Sequence, residues 1–214
     1  MRSELKPLYK RTLDVSYAKK LSHIGSCISA LPIIYDIYKV KKPDEKFVNS
    51  AGHSHLAHLV VREAMGEIDN LEELLEKYGI HCDVRAGCDV STGSLGHGIG
   101  IALGMALTDR TKNVHCLISD GEFMEAICME SLRIAYETHL DNLKVYLNFN
   151  GFGAYRSINK VWLEGVIKSI GFPVNVVDSS SVTSSSKYLK GLQGHYYVMD
   201  NNSYEDILRE YGYS

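Results

Sequence analysis

Residues 114–150, VHCLISDGEFMEAICMESLRIAYETHLDNLKVYLNFN, decide the fold. VHCLIS is a short apolar run that ends at Asp120 and Gly121, and LKVYLNF is a second one that ends at Asn150. The residues between them, from Phe123 to about Thr138, read as a helix bounded by LDN. Two buried strands joined through a helix make a β-α-β unit, the connection that parallel strands require. On the N-terminal side, Leu5, Leu8, Tyr9, Leu13, Tyr17 and Leu21 recur at helical spacing, and a second apolar helix follows from Cys27 to Tyr38 with Pro32 in its first turns. LAHLVVREAM and LEELLEKYG read as two more helices, the latter stopped by Gly79. STGSLGHGIGIALGMAL, residues 91–107, sets Gly93, Gly96, Gly98, Gly100 and Gly104 around a helix start, a composition that lets backbone approach closely. On the C-terminal side, VNVVD and HYYVMD read as strands separated by a serine-rich surface loop (SSSVTSSS) and a short helix, with a last helix at SYEDILREYG. With no internal repeat and no interdomain linker, residues 1–214 are expected to form one α/β domain: a doubly wound, mostly parallel sheet with helices on both faces.

The bulk properties set limits on partners. A chain of 214 residues suits one domain, and 45% hydrophobic with 23% charged residues is ordinary for a folded globular protein. A formal net charge of −3 gives no general electrostatic reason to expect nucleic acid or an anionic membrane, so any bound anion needs a local site. The five cysteines are odd in number and scattered, which favours reduced thiols. Neither a secretory pattern nor an apolar run near the roughly 20 residues of a membrane helix is present, and a cytoplasmic location is expected.

Ligands of open parallel sheets bind at the carboxyl ends of the strands, where loops converge and helix N-termini point free N–H groups at the crevice. Asp120 and Asn150 stand at two such ends, thirty positions and one β-α-β step apart. A carboxylate, an amide oxygen and a backbone carbonyl form a hard-oxygen set suited to Mg²⁺ or Ca²⁺, with diphosphate oxygens and water completing the shell. Asp-Gly and Asn-Gly are also frequent turn formers, and this pair alone leaves both readings open.

Wider context favours the metal. The Asp-Gly and the Asn about thirty positions later resemble the thiamine diphosphate signature of the transketolase family. SHIGSCISALPIIYDIY (22–38) resembles the family's Gly-His-Pro-Gly segment, SAGHSHLAHL (50–59) its Lys-Gly-His-Ala segment and STGSLGHGIGIALGMAL its Ser-Thr-Gly-Ser-Leu-Gly-Gln-Gly segment, all in family order. Together the segments cover about residues 15–155. The resemblance implies that Asp120, the side-chain oxygen of Asn150 and the carbonyl of Phe152 ligate the metal. It implies that Gly121 and Glu122 present backbone N–H groups to the diphosphate of thiamine diphosphate, and that Gly93, Ser94 and Leu95 lie against its aminopyrimidine. His23, His53 and His81 match histidines lining the substrate channel, where imidazoles bind sugar hydroxyls and move protons. Glu125 matches a glutamate at the subunit interface. The activity implied is transfer of a two-carbon ketol unit between sugar phosphates. The family's second domain, which holds the aminopyrimidine and carries the activating glutamate, is not within these residues, so a separate pyrimidine-binding subunit is expected, in an α₂β₂ assembly.

Some residues depart from the family pattern. Ser119 stands at its first Gly-Asp-Gly glycine, His97 at a glutamine and Ala126 at a glycine, and few residues separate VNVVD from HYYVMD, leaving no counterpart for a later histidine-bearing loop. Two rival readings follow: a subunit of another thiamine diphosphate enzyme, such as one like 1-deoxyxylulose-phosphate synthase, or a catalytically silent binding or regulatory homologue. The cluster His53, His55 and His58 also suggests zinc, but only His55 and His58 share helical spacing and no partnering cysteine lies nearby, so this is the weaker reading.

Overall fold

A sheet of four parallel strands runs through the domain, ordered as the strands occur in sequence. The computed structural model describes residues 2–153 and 155–213. Helices α1 (Lys6–Ala18) and α2 (Ile24–Val40) precede strand β1 (Lys46–Asn49). Helices α3 (His55–Ala64), α4 (Leu71–Tyr78) and α5 (His97–Thr108) then lead to β2 (Val114–Ser119). A single turn, α6 (Asp120–Phe123), and α7 (Ala126–Glu137) connect β2 to β3 (Leu143–Phe149), and α8 (Lys160–Ile170) connects β3 to β4 (Val174–Asp178). The chain closes with α9 (Ser180–Ser184), α10 (Gly191–Tyr196) and α11 (Asn201–Glu210).

Every residue of β2 is buried, because successive side chains enter two different cores. Cys116 and Ile118 pack among residues of α5, α7 and α8. Leu117, with Phe47 of β1, packs among residues of α1 to α4 and α11. Helices therefore cover both faces, as the α/β reading requires. In register, Asn49 pairs with Leu117, Ser119 with Asn148 and Phe149 with Asp178, so all four strands end at the same edge. The helix punctuation is also as expected: Asn70 accepts from the N–H groups of Glu72 and Glu73 to start α4, and Gly79, at φ 86°, ends it. Among the described residues no helix is long and apolar enough to cross a membrane.

Several elements differ from expectation. β1 has only four residues and α8 follows a weak pattern, and neither stands out in the sequence. The helix after Asp120 is broken at Met124 and Glu125, where Glu125 is extended, so α7 starts on a new axis. α2 starts earlier than Cys27, from a left-handed His23, and this places Pro32 inside the helix. The serine run coils into α9. HYYVMD is no strand: its first residues close α10 and the rest are irregular. A Cβ on Gly194 would lie 2.3 Å from Leu189 O, so the chain coils tightly there, and the Asp200 capping box starts α11 immediately afterwards. Too little extended chain remains to join β4.

Gly98 fixes where α5 meets the sheet, since a Cβ there would lie 2.5 Å from Ser50 Cα at the end of β1. Gly98→Ala is expected to destabilise the domain by about 1–3 kcal/mol through forced separation of α5 from β1. Gly104→Ala, one and a half turns further along α5 with nothing within 4 Å of the added carbon, is expected to stabilise it by about 0.4–1 kcal/mol. Urea unfolding of both variants checks the pair, and a harmless Gly98→Ala would contradict the close packing.

Candidate functional site

Asp120 leaves β2 where the sheet ends and is completely buried. Its carboxylate crosses to the end of β3: Oδ2 accepts from the N–H groups of Asn150 (3.1 Å) and Gly151 (2.7 Å), and Oδ1 from that of Gly121 (2.9 Å). Burial lifts the carboxyl to about 7, although these three backbone donors pull the other way. Asn150 is half-buried and folds into a turn in which its Oδ1 accepts the Phe152 N–H at 2.9 Å. Phe152 lies in a loop closed by a bridge to Ser157. The structure thus brings Asp120 and Asn150 together, with Phe152 two residues away.

Glu122 occupies a position that its sequence context does not signal. Its side chain is fully buried and turned inward, accepting from Ser50 Oγ (2.7 Å) and Gly96 N–H (3.0 Å) at Oε1 and from Ser119 N–H (3.0 Å) at Oε2. Burial raises its carboxyl above the usual range. Ser119 completes the arrangement by accepting the Glu122 N–H, a reciprocal capping box that gives the hydroxyl at this position a structural use. Both backbone donors expected for a diphosphate are therefore engaged within the turn, the Glu122 N–H by Ser119 Oγ and the Gly121 N–H by Asp120 Oδ1, and of the two residues Gly121 lines the cavity.

Histidines gather above this edge. The ring of His23 lies 5.5 Å from that of His53 and 6.3 Å from that of His81, so all three expected channel residues converge. A fourth, His195 of α10, lies 4.8 Å from His23 and 5.2 Å from His53, with Nδ1 3.1 Å from Ser26 Oγ. The short C-terminal region therefore does deliver a histidine to the site, contrary to expectation; its only sequence signal is the glycine-bracketed run GLQGHY. Burial, with mutual repulsion, pushes His53 down to about 3 and His23 to about 4, and burial also lowers His81 and His195. The cluster is neutral at physiological pH and presents donors and acceptors rather than charge.

Gly93 packs against His81, with 3.2 Å between the ring and the place of a Cβ, and Ser94 is exposed beside it. Leu95 lines a cavity of about 20 Å³ together with His53, Gly121, Asn150, Phe152 and His195. Glu125 is half-buried at the start of α7, beneath Gly96. The donors suit a hard divalent cation that bridges to an anionic oxygen. The cavity has room for about one water, so a diphosphate requires one of its walls to move back.

The family model described as transketolase, thiamine diphosphate binding domain, matches residues 13–168. An apulose-4-phosphate transketolase subunit of Phocaeicola vulgatus is 34% identical over 161 residues, which cover 66% of this chain and 57% of that one. Transketolase of Pongo abelii is 32% identical over 163 residues, covering 66% of this chain and 26% of its own. The chain thus spans just over half of the first relative and about a quarter of the second. Among solved structures, transketolase from Leishmania mexicana superposes with a TM-score of 0.64 at 17% identity, over 96% of this chain and 43% of that one. A transketolase from Pichia stipitis gives 0.67 at 22% identity, over 85% and 32%. The solved structures share the fold, the curated relatives share the sequence, and the matched span runs through both strand ends of the site: the chain belongs to the transketolase family and carries its thiamine diphosphate binding domain.

Proposed function

We propose that this domain holds the diphosphate of thiamine diphosphate through Mg²⁺, and that with a separate pyrimidine-binding subunit it transfers a two-carbon ketol unit between sugar phosphates. The observation that carries the reading is the junction of Asp120 and Asn150 at adjacent strand ends, beneath four neutral histidines. In this reading Asp120, Asn150 Oδ1 and the Phe152 carbonyl are the metal ligands, Gly121 and Glu122 form the turn facing the diphosphate, and Gly93, Ser94 and Leu95 flank the aminopyrimidine. The cofactor, when bound, supplies the carbanion that cleaves a ketose beside its carbonyl. His23, His53, His81 and His195 bind sugar hydroxyls and hold protons, with neutral rings as the resting state. Glu125 communicates with the partner chain. Such a partner is supported by the Phocaeicola relative, whose name makes it one subunit of a transketolase, and by the apolar groove between α7 and α8, where Val161 and Trp162 are exposed. Two copies of each chain are the proposed assembly.

One observation favours a second reading, a silent binding or regulatory homologue: the two cavities lined by Asn150, Phe152 and His195 hold only about 20 Å³ each. Thermal unfolding separates the two. With thiamine diphosphate and Mg²⁺ at ~100 times the Kd, the native state is expected to gain about 2.7 kcal/mol, and Asp120→Asn to abolish that gain without unfolding the protein. No gain with Mg²⁺, cofactor and partner all present would leave only the silent reading.

The histidines give a pH dependence of defined sign. Because the folded-state pKa of His53 lies below the ordinary value of 6.5, its contribution is fully present above that value and is lost as pH falls toward 3. Relative to His53→Gln, the wild type is expected to lose up to about 1.4 kcal/mol per pH unit below pH 6.5. Urea midpoints at pH 7, 6 and 5 for both proteins test this, and a pH-independent gap would rule out a half-buried, neutral His53.

A further inference from the structure

Two cysteines and two histidines outside the strand-end site meet beneath the loop that leads to it. His55 and His58 lie one turn apart on α3, and Cys82 and Cys88 flank the short turn Val84–Ala86 between α4 and α5. All four side chains are buried, and one ligating atom from each lies within 4.8 Å of all the others. Cys88 Sγ is 3.9 Å from Nδ1 of both His55 and His58. The cysteines missing from the HSHLAH cluster in sequence are thus supplied in space, from 24 or more positions further along.

We infer that His55, His58, Cys82 and Cys88 form a structural zinc site that fastens the α4–α5 connection to α3. A tetrahedral ion with Zn–S near ~2.3 Å and Zn–N near ~2.0 Å sets its sulfur and nitrogen ligands about 3.6 Å apart. The two pairs at 3.9 Å need a contraction of only a few tenths of an ångström, and the widest separation in the cluster, within 4.8 Å, one of up to about 1 Å. Two sulfurs and two imidazole nitrogens are the donor set that selects zinc over the hard Mg²⁺ of the strand-end site, and with four protein ligands no position stays open for substrate. Binding releases the two thiol protons to solvent. The outer shell is partly built: His58 Nε2 lies 2.7 Å from Tyr38 Oη, which orients the ring with Nδ1 toward the sulfurs. His55 is fully buried, its Nε2 has no hydrogen-bond partner among the described residues, and its Nδ1 faces the Cys88 sulfur at 3.9 Å.

The position gives the site a use. Cys82 follows His81 directly, and its carbonyl accepts the Thr92 N–H at 3.0 Å, while Thr92 Oγ1 donates to Asn49 O at 2.6 Å. Gly93 comes next. An ion on Cys82 and Cys88 therefore pins the segment that carries His81 at one end and Gly93 to Leu95 at the other.

The test is the metal content of the full chain, purified without a histidine tag, in reductant, and before any thiamine diphosphate or Mg²⁺ is added. About one zinc ion per chain is expected, lost in Cys82→Ser and in Cys88→Ser and kept in Cys27→Ser. Wild-type protein loaded with Co²⁺ is expected to show tetrahedral ligand-field bands with thiolate charge transfer, a readout that needs no variant to fold. Protein free of zinc that gives no such cobalt spectrum would overturn the site, as would recovery of a Cys82–Cys88 disulfide. Neither result bears on cofactor binding at Asp120, which is measured separately.

Discussion

Two buried carboxylates at the end of one strand organise the functional edge of this domain. Asp120 and Glu122 are two residues apart and reach in opposite directions, Asp120 to the end of β3 and Glu122 to the end of β1 and the turn before α5. Among the described residues no lysine or arginine donates to either one; backbone N–H groups and the hydroxyls of Ser50 and Ser119 do. A buried charge satisfied this way is worth keeping only if every donor stays in place, because each lost bond to a charged group costs about 1.5–3 kcal/mol. The three loop ends are therefore held by the same requirement. The edge is preorganised before anything binds.

The difference in how the two carboxylates are satisfied separates their roles. Glu122 is closed off on all sides, with Ser119 on one oxygen and Ser50 and Gly96 on the other. Asp120 receives backbone donors only, from glycine and Asn150, beside the cavity that Asn150 lines. The first acts as a clamp. The second borders the cavity, and burial raises its carboxyl to about 7, so a cation bound there would have to displace a proton held more tightly than on an exposed carboxylate.

Much of this was legible in the sequence, because it depends on short-range signals. The β-α-β unit at 114–150 follows from two apolar runs around a helical one, and the Asp120–Asn150 pairing follows from parallel strands ending together. The convergence of His23, His53 and His81 was readable through resemblance. What was not legible depends on contacts distant in sequence or on patterns too short to register. β1 has four residues, the inward Glu122 looks like any helix glutamate, and His195 reaches His23 from 172 positions away through a coil in glycine-rich chain. The cysteines beside His55 and His58 illustrate the same limit: helical spacing reveals the histidine pair, while Cys82 and Cys88 arrive only by the fold of the α4–α5 connection.

The walls of the strand-end cavity are unequal, and this bears on how a cofactor-sized ligand enters. One wall is Ser119 and Gly121 at the end of β2, which are tied to the buried carboxyls of Glu122 and Asp120, so moving it would break several bonds to buried groups. The opposite wall is α10, six residues long, held at the site by the His23 N–H to His195 carbonyl bond (3.1 Å) and the Ser26–His195 contact. Opening takes the route of least lost burial and fewest broken bonds. That route is α10, and it carries His195 with it. On the proposed reading, the histidine that closes the cavity over Asn150 is then also the residue displaced when diphosphate enters, so its place among the sugar-binding imidazoles is set after the cofactor is seated rather than before.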